Sequence, residues 1–279
     1  MFYIEKNDKP NLLEKKLNLV KVNNNTIIIP ITEKTTEKQI EKIATKTNKL
    51  ILKNSNSKKI VLSKQLQEQE KYINYLNTYG LEIQDGRWLF EILLPEITEY
   101  IINKKIQTNK FLISILVNDV TDITFENIKI LSKKYKNINI VTNHIEKFKN
   151  LEQQLNEEGI IITISNNTKR SLAKSQIILN IDFPKELINK YNINENAIIV
   201  NIKGNVKIKN KRFNGLNIND YEIDYREDKK EEKEQICEYF LKDIYESKLY
   251  QKQNINEIRK KIKLDKVVIK KLFLANGEL

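Results

Sequence analysis

The chain has 279 residues, of which 40% are hydrophobic and 31% charged, and 49 Lys and Arg against 37 Asp and Glu give a net charge of +12. That length is enough for one large or two modest domains with a sizeable core, and no apolar run is long enough to span a membrane. The excess of base is almost all lysine, with arginine only at 87, 170, 212, 226 and 259, and is interleaved with glutamate, so it reads as a solvated surface of AT-rich composition and not as the Arg forks of nucleic-acid recognition.

The start, MFYIEKNDKP, carries acid and lacks the basic-then-apolar order of a secretion signal. LVKV (19–22) and TIIIPI (26–31) then read as two strands around the turn Asn23-Asn24-Asn25. Thr36 with Gln39 has capping-box spacing, and Ile40, Ile43 and Thr47 continue one helical face. KLILK (49–53) and KIVLS (59–63) read as two further short strands. Leu66, Ile73, Leu76 and Tyr79 mark a helix that Gly80 should stop. Trp88, Ile92, Leu93, Ile97, Tyr100 and Ile101 recur at helical steps, and Pro95 among them predicts a kink or a break into two helices. These residues form a smaller α/β lobe, 1–105, that ends in a bridging helix over 86–105.

From Phe111 to Lys203 one phrase repeats: a short Ile/Val/Leu run, a polar amphipathic stretch, then another run. The runs are LISILV (112–117), INIVT (138–142), IIITIS (160–165), IILNI (177–181) and AIIVNI (197–202). This is the rhythm of a mostly parallel, Rossmann-like sheet, with the lobe extending over 111–225. Phe125, Ile128, Leu131 and Tyr135 form one helical stripe, and Ile145, Phe148, Leu151 and Leu155 the next. Residues 168–174 read as a short helix, and Pro184 suits the first turn of another. VKIK (206–209) and LNI (216–218) read as an appended β element. Residues 226–279 form a C-terminal helical extension, with Ile236, Phe240, Ile244 and Leu249 on one face, Ile255, Ile258 and Ile262 on a second, and a late strand at VVIKKLFL (267–274).

In such a sheet a ligand sits at the carboxyl ends of the strands. Those ends carry Asn118, Asp119, Asn143, His144, Asn166, Asn180 and Asp182, a set able both to donate and to accept hydrogen bonds from a small polar ligand. Asparagine is also a favoured turn and cap residue, so these positions serve equally as loop formers. His144 fits an acid–base group or the start of a helix. Arg87 beside Trp88 fits an anion and a stacked ring, or a tight turn over a buried indole. His144 is the only histidine and Cys237 the only cysteine, so multi-histidine metal sites and an internal disulfide framework are excluded, and no metal is expected.

The segments EEGIIITIS (157–165) and LAKSQIILNIDFP (172–184) resemble the second half of the Rossmann-like domain in amino-acid dehydrogenases such as shikimate dehydrogenase. The resemblance covers about a third of the chain and implies a two-lobed dehydrogenase fold with a nicotinamide cofactor. The first turn departs from that pattern: Asn118-Asp119-Val120-Thr121-Asp122 stands where G-x-G-x-x-G would let backbone N–H groups approach a pyrophosphate. Asp119 at a strand end is also similar to the acidic cluster of receiver domains, but the third strand ends in Ser165-Asn166, without an acid.

The expectation is therefore a cytoplasmic α/β protein of bacterial type that binds a small polar ligand or a partner protein at the strand-end edge, either non-catalytic or with no catalysis that its residues establish. No cofactor can be named, and neither a membrane nor a nucleic acid is an expected partner. The alternatives are a divergent NAD(P)-dependent oxidoreductase and a nucleic-acid-binding module.

Overall fold

The computed structural model describes residues 1–107, 110–204, 206–226, 238–249, 254–274 and 277–279. The chain divides into two compact units, Met1–Gly86 with Glu227–Gln253, and Arg87–Arg226 with Asn254–Leu279. Among the described residues no helix is long and apolar enough to cross a membrane.

The first unit runs β1 (Phe2–Lys6), α1 (Leu12–Leu17), β2 (Lys21–Asn23), β3 (Thr26–Ile29), α2 (Glu37–Asn54), β4 (Lys59–Leu62), α3 (Lys64–Gln67), α4 (Glu70–Thr78) and β5 (Glu82–Ile83). Its sheet has the order β2-β3-β1-β4-β5. All neighbours are parallel except β2, which pairs antiparallel with β3 through a two-residue turn at Asn24-Asn25. Asn24 adopts φ 50°, a left-handed conformation that asparagine tolerates and hairpin turns require. The capping box of Thr36 and Gln39 starts α2 as expected.

The strand expected at 49–53 is instead the last part of α2. Ile51 continues the buried face set by Ile40, Ile43, Ala44 and Thr47, so the apolar run is read at helical period, and nothing breaks the helix before Asn54-Ser55.

The second unit runs α5 (Arg87–Ile92), α6 (Leu94–Lys105), β6 (Ile113–Leu116), α7 (Asp122–Lys134), β7 (Ile138–Val141), a 3-10 turn (Ile145–Phe148), α8 (Lys149–Glu157), β8 (Thr163–Ser165), β9 (Ile177–Asn180), α9 (Lys185–Ile188), β10 (Ile198–Asn201) and β11 (Leu216–Asp224). The first unit then gains α10 (Leu241–Leu249), and the second gains α11 (Ile255–Leu264), β12 (Val268–Leu274) and β13 (Gly277–Glu278). The break expected at Pro95 falls between α5 and α6, where proline in the first turn needs no amide partner. Both helices belong to the second unit, a division that differs from the 1–105 lobe read from sequence; α6 packs on α7 and β12.

The second sheet has the order β13-β12-β11-β10-β9-β6-β7-β8. Strands β6 to β11 are all parallel, and β12 and β13 close one edge antiparallel. Every residue of β6, β7, β9 and β10 is buried, which is why these strands read as continuous apolar runs without alternation.

Three local expectations are corrected. Residues 206–209 form no strand; Val206 is buried in a loop, and β11 is a sixth parallel strand of nine residues, not an appended element. Residues 168–174 form consecutive turns, because Asn139 donates from Nδ2 to the Ser171 carbonyl at 3.0 Å and Ser114 bonds Ser175 at 2.7 Å, holding this segment to the sheet instead of in a helical ladder. Of the helical face expected from Ile236, Phe240, Ile244 and Leu249, Leu241–Leu249 is helical and Phe240 directly precedes it, while Ile236 and Cys237 lie outside the described residues.

Candidate functional site

In the second sheet β7 and β8 extend to one side of β6 and β9, β10 and β11 to the other. With parallel strands counted in chain order this is 3-2-1-4-5-6, the doubly wound arrangement whose chain direction reverses between the first and fourth strands. Connections leave that point on opposite faces of the sheet and open a crevice at the carboxyl ends of β6 and β9. The turn after β6 and the segment after β9 therefore meet there.

Two consecutive backbone amides of that turn point at Asp182. Its carboxylate accepts from Asn118 N–H at 2.8 and 2.9 Å and from Asp119 N–H at 3.1 Å. Consecutive amides of this kind form an anion-binding concavity. Here the anion is a side chain of the chain itself. Asn118 Oδ1 in turn accepts from Asn143 N–H at 3.0 Å, so the end of β7 joins the cluster. Thr121 caps α7 by accepting from Thr124 N–H at 3.1 Å.

Charges surround this core. Lys147 donates to Asp119 at 2.5 Å, and its ammonium lowers the Asp119 pKa, with smaller contributions from His144 and Lys203. His144 is exposed, and its backbone N–H donates to Thr142 Oγ1 at 3.0 Å. Glu91, on α5, accepts from Thr124 Oγ1 at 3.3 Å. Burial raises its pKa, the Asp182 charge pushes the same way, and the Thr124 bond and Lys203 oppose them. Among the described residues no group of three His, Cys, Asp or Glu is placed to hold a metal ion.

The other candidates lie in different surroundings. Asn180 is buried, bonds the Phe183 backbone through both amide atoms, and donates to Asn201 Oδ1 at 3.0 Å. Asn201 then donates to Asn217 and Asn219, and Asn217 to the Val206 carbonyl. Arg87 reaches this same ladder, donating to the carbonyls of Ile202 at 3.3 Å and Asn219. Asn166 is exposed at the end of β8, next to Asn167, whose side chain accepts from the amides of Lys169 and Arg170 in a turn.

The structure thus brings together Asn118, Asp119, Asn143 and Asp182 by hydrogen bonds, with His144 in electrostatic reach. It assigns Asn180 and Arg87 to a neighbouring amide and carbonyl network. Sequence reasoning missed Glu91 and Lys147. Glu91 was visible as the one acid in the apolar stretch WLFEILL, and Lys147 is one of many lysines with no distinguishing signal.

No protein-family model and no curated protein matches the sequence. Among solved structures, aspartate transcarbamoylase from Trypanosoma cruzi in complex with carbamoyl aspartate and phosphate matches 75% of this chain and 75% of its own, at 10% identity and a TM-score of 0.31. Ornithine carbamoyltransferase from Pyrococcus furiosus matches 72% of this chain and 71% of its own, at 10% identity and a TM-score of 0.30. A shikimate 5-dehydrogenase-like protein matches 72% of this chain and 76% of its own, at 11% identity and a TM-score of 0.27. Likeness at this level assigns no activity, substrate or ligand to the chain.

Proposed function

We propose that this chain is a non-catalytic binding protein that takes a small, polar, non-phosphorylated ligand at the carboxyl edge of its second sheet. The observation that carries this reading is the Asp182 carboxylate seated on the amides of Asn118 and Asp119. A doubly wound sheet offers those amides to a phosphate. With Asp182 there, a phosphate would meet occupied donors and the repulsion of Asp182 and Asp119. What the edge still offers is Asp119, Asn143, His144 and Lys147 on exposed turns. These groups match hydroxyl, amide and ammonium functions better than a second anion.

A thermal-shift screen tests this, comparing non-phosphorylated amino acids, amines and polyols with NAD, NADP and nucleotides. The expected result is a rise in Tm with a compound of the first group and none with the second. Binding should then weaken at least tenfold in Asn143→Ala or His144→Ala. The strand order favours a second reading, a divergent NAD(P)-dependent oxidoreductase in which Asp182 swings away when the cofactor arrives. Saturable NAD(P) binding by the unaltered chain would select that reading and discard the first.

A further inference from the structure

Helix α1 is built inside out. Its one acid, Glu14, is 5% exposed, while Leu12, Leu13 and Leu17 are 86%, 62% and 50% exposed. Glu14 accepts from Asn7 Nδ2 at 3.1 Å and from Asn11 N–H at 2.9 Å, and it pairs with Lys21. Asn11 returns a bond to Glu14 N–H at 2.8 Å, completing a capping box. At the other end Asn18 adopts φ 48°, and Lys46 donates to the carbonyls of Leu17 and Asn18 at 2.7 and 2.9 Å. Polar bonds therefore fix both ends and the inner face of the helix. At 100° per residue, Leu12, Lys16, Leu13 and Leu17 fall in that angular order in a band about 140° wide, which starts nearly opposite Glu14 at Leu12 and Lys16 and ends beside it at Leu17. Exposed Leu19 and Val22 extend the apolar surface toward the edge strand β2.

Such a surface needs a covering partner, and its charge states which kind. Lys9, Lys15 and Lys16 are exposed around the leucines, and Glu14 is the only acid between residues 9 and 22. In a two-fold contact between copies the same patch faces itself, so these lysines would meet their own equivalents. Five apolar side chains also fall well short of the roughly 20–30 residues per side that a stable interface uses. A short helix with leucines outward and lysines beside them instead fits an anionic lipid surface, where the apolar side chains enter the headgroup boundary and the ammonium groups meet lipid phosphates. We propose that α1 docks the first unit on an anionic bilayer. That no helix among the described residues is long and apolar enough to cross a membrane does not bear on this, because a surface-lying helix need not cross it.

Flotation of the full chain with phosphatidylcholine vesicles, with and without phosphatidylglycerol, tests the proposal. The chain should float with the phosphatidylglycerol vesicles only, and less as salt rises. Leu12→Ser/Leu13→Ser/Leu17→Ser should lose binding at least tenfold while its circular dichroism stays unchanged, since the altered side chains are exposed. Lys15→Glu/Lys16→Glu should lose a similar amount. No flotation of the folded wild type, or full flotation of the serine variant through its other lysines, would overturn the proposal. So would a dimer in light scattering that the serine variant dissolves, which would give the patch to a second copy.

Discussion

At the ends of β6 and β7 the polar side chains sit on turns; the Asp182 carboxylate accepts from the Asn118 and Asp119 backbone amides, and Asn118 Oδ1 accepts from the Asn143 amide. At the ends of β9 and β10, and beside them in the first half of β11, four asparagines, at 180, 201, 217 and 219, bond one another in a ladder anchored on buried Asn180 and Asn201. Both regions lie on the second sheet and use the same residue type. The difference is what the amides face. In the ladder each buried amide is paired by another, which satisfies a parallel sheet where it leaves its apolar core. On the turns the side chains face water and charge. An asparagine-rich strand end is thus internally paired in one place and turned to solvent in the next.

Substitutions separate the two roles. Asn201→Ala leaves Asn180, Asn217 and Asn219 without their common partner, so urea unfolding should show a loss of about 3 kcal/mol, the cost of stranding buried amides; a loss below about 1 kcal/mol would mean the ladder is not structural. Asp182→Ala removes three charge-assisted bonds but from a half-buried site, and should cost about 2 kcal/mol. His144→Ala should change stability by less than about 0.5 kcal/mol, as an exposed turn residue does, so a large loss would move His144 into the structural class.

The pH dependence sharpens the comparison further. Burial raises the Glu91 pKa, so the fold favours its neutral form. The stability this contributes is complete at pH below the ordinary glutamate range. It is lost as pH climbs through that range to the raised folded value. Glu91→Gln should hold its stability across that window where wild type declines. Parallel curves would show that Glu91 ionises without cost. Asp119 runs the other way: Lys147 lowers its pKa, so the stability it contributes is present above the ordinary aspartate range and lost as pH falls through the depressed value.

Much of the fold was legible because the buried strands are unbroken apolar runs, α4 and α8 are followed by Gly80 and Gly159 in left-handed conformations, and Pro95 opens α6. The errors share a cause. Residues 49–53 and 206–209 are short Ile, Leu and Val runs that satisfy strand and helix or loop equally, and only their packing decides. In 49–53 the preceding cap and stripe of α2 carried the helix onward. The site was legible to the level of the edge. Asn118, Asp119, Asn143 and Asp182 were visible as strand ends, but that Asp182 reaches 64 residues back to the Asn118 amide is a long-range contact with no local signal. The division of asparagines between ladder and turn was hidden for the same reason.

Asp182 occupies the anion seat of the second sheet. The most direct test of this is calorimetric titration of pyrophosphate and NAD into the wild type and Asp182→Ala. Wild type should show no detectable binding of either, and the variant, whose Asn118 and Asp119 amides are freed, should bind pyrophosphate measurably. Binding of either anion to wild type as tightly as to Asp182→Ala would contradict it.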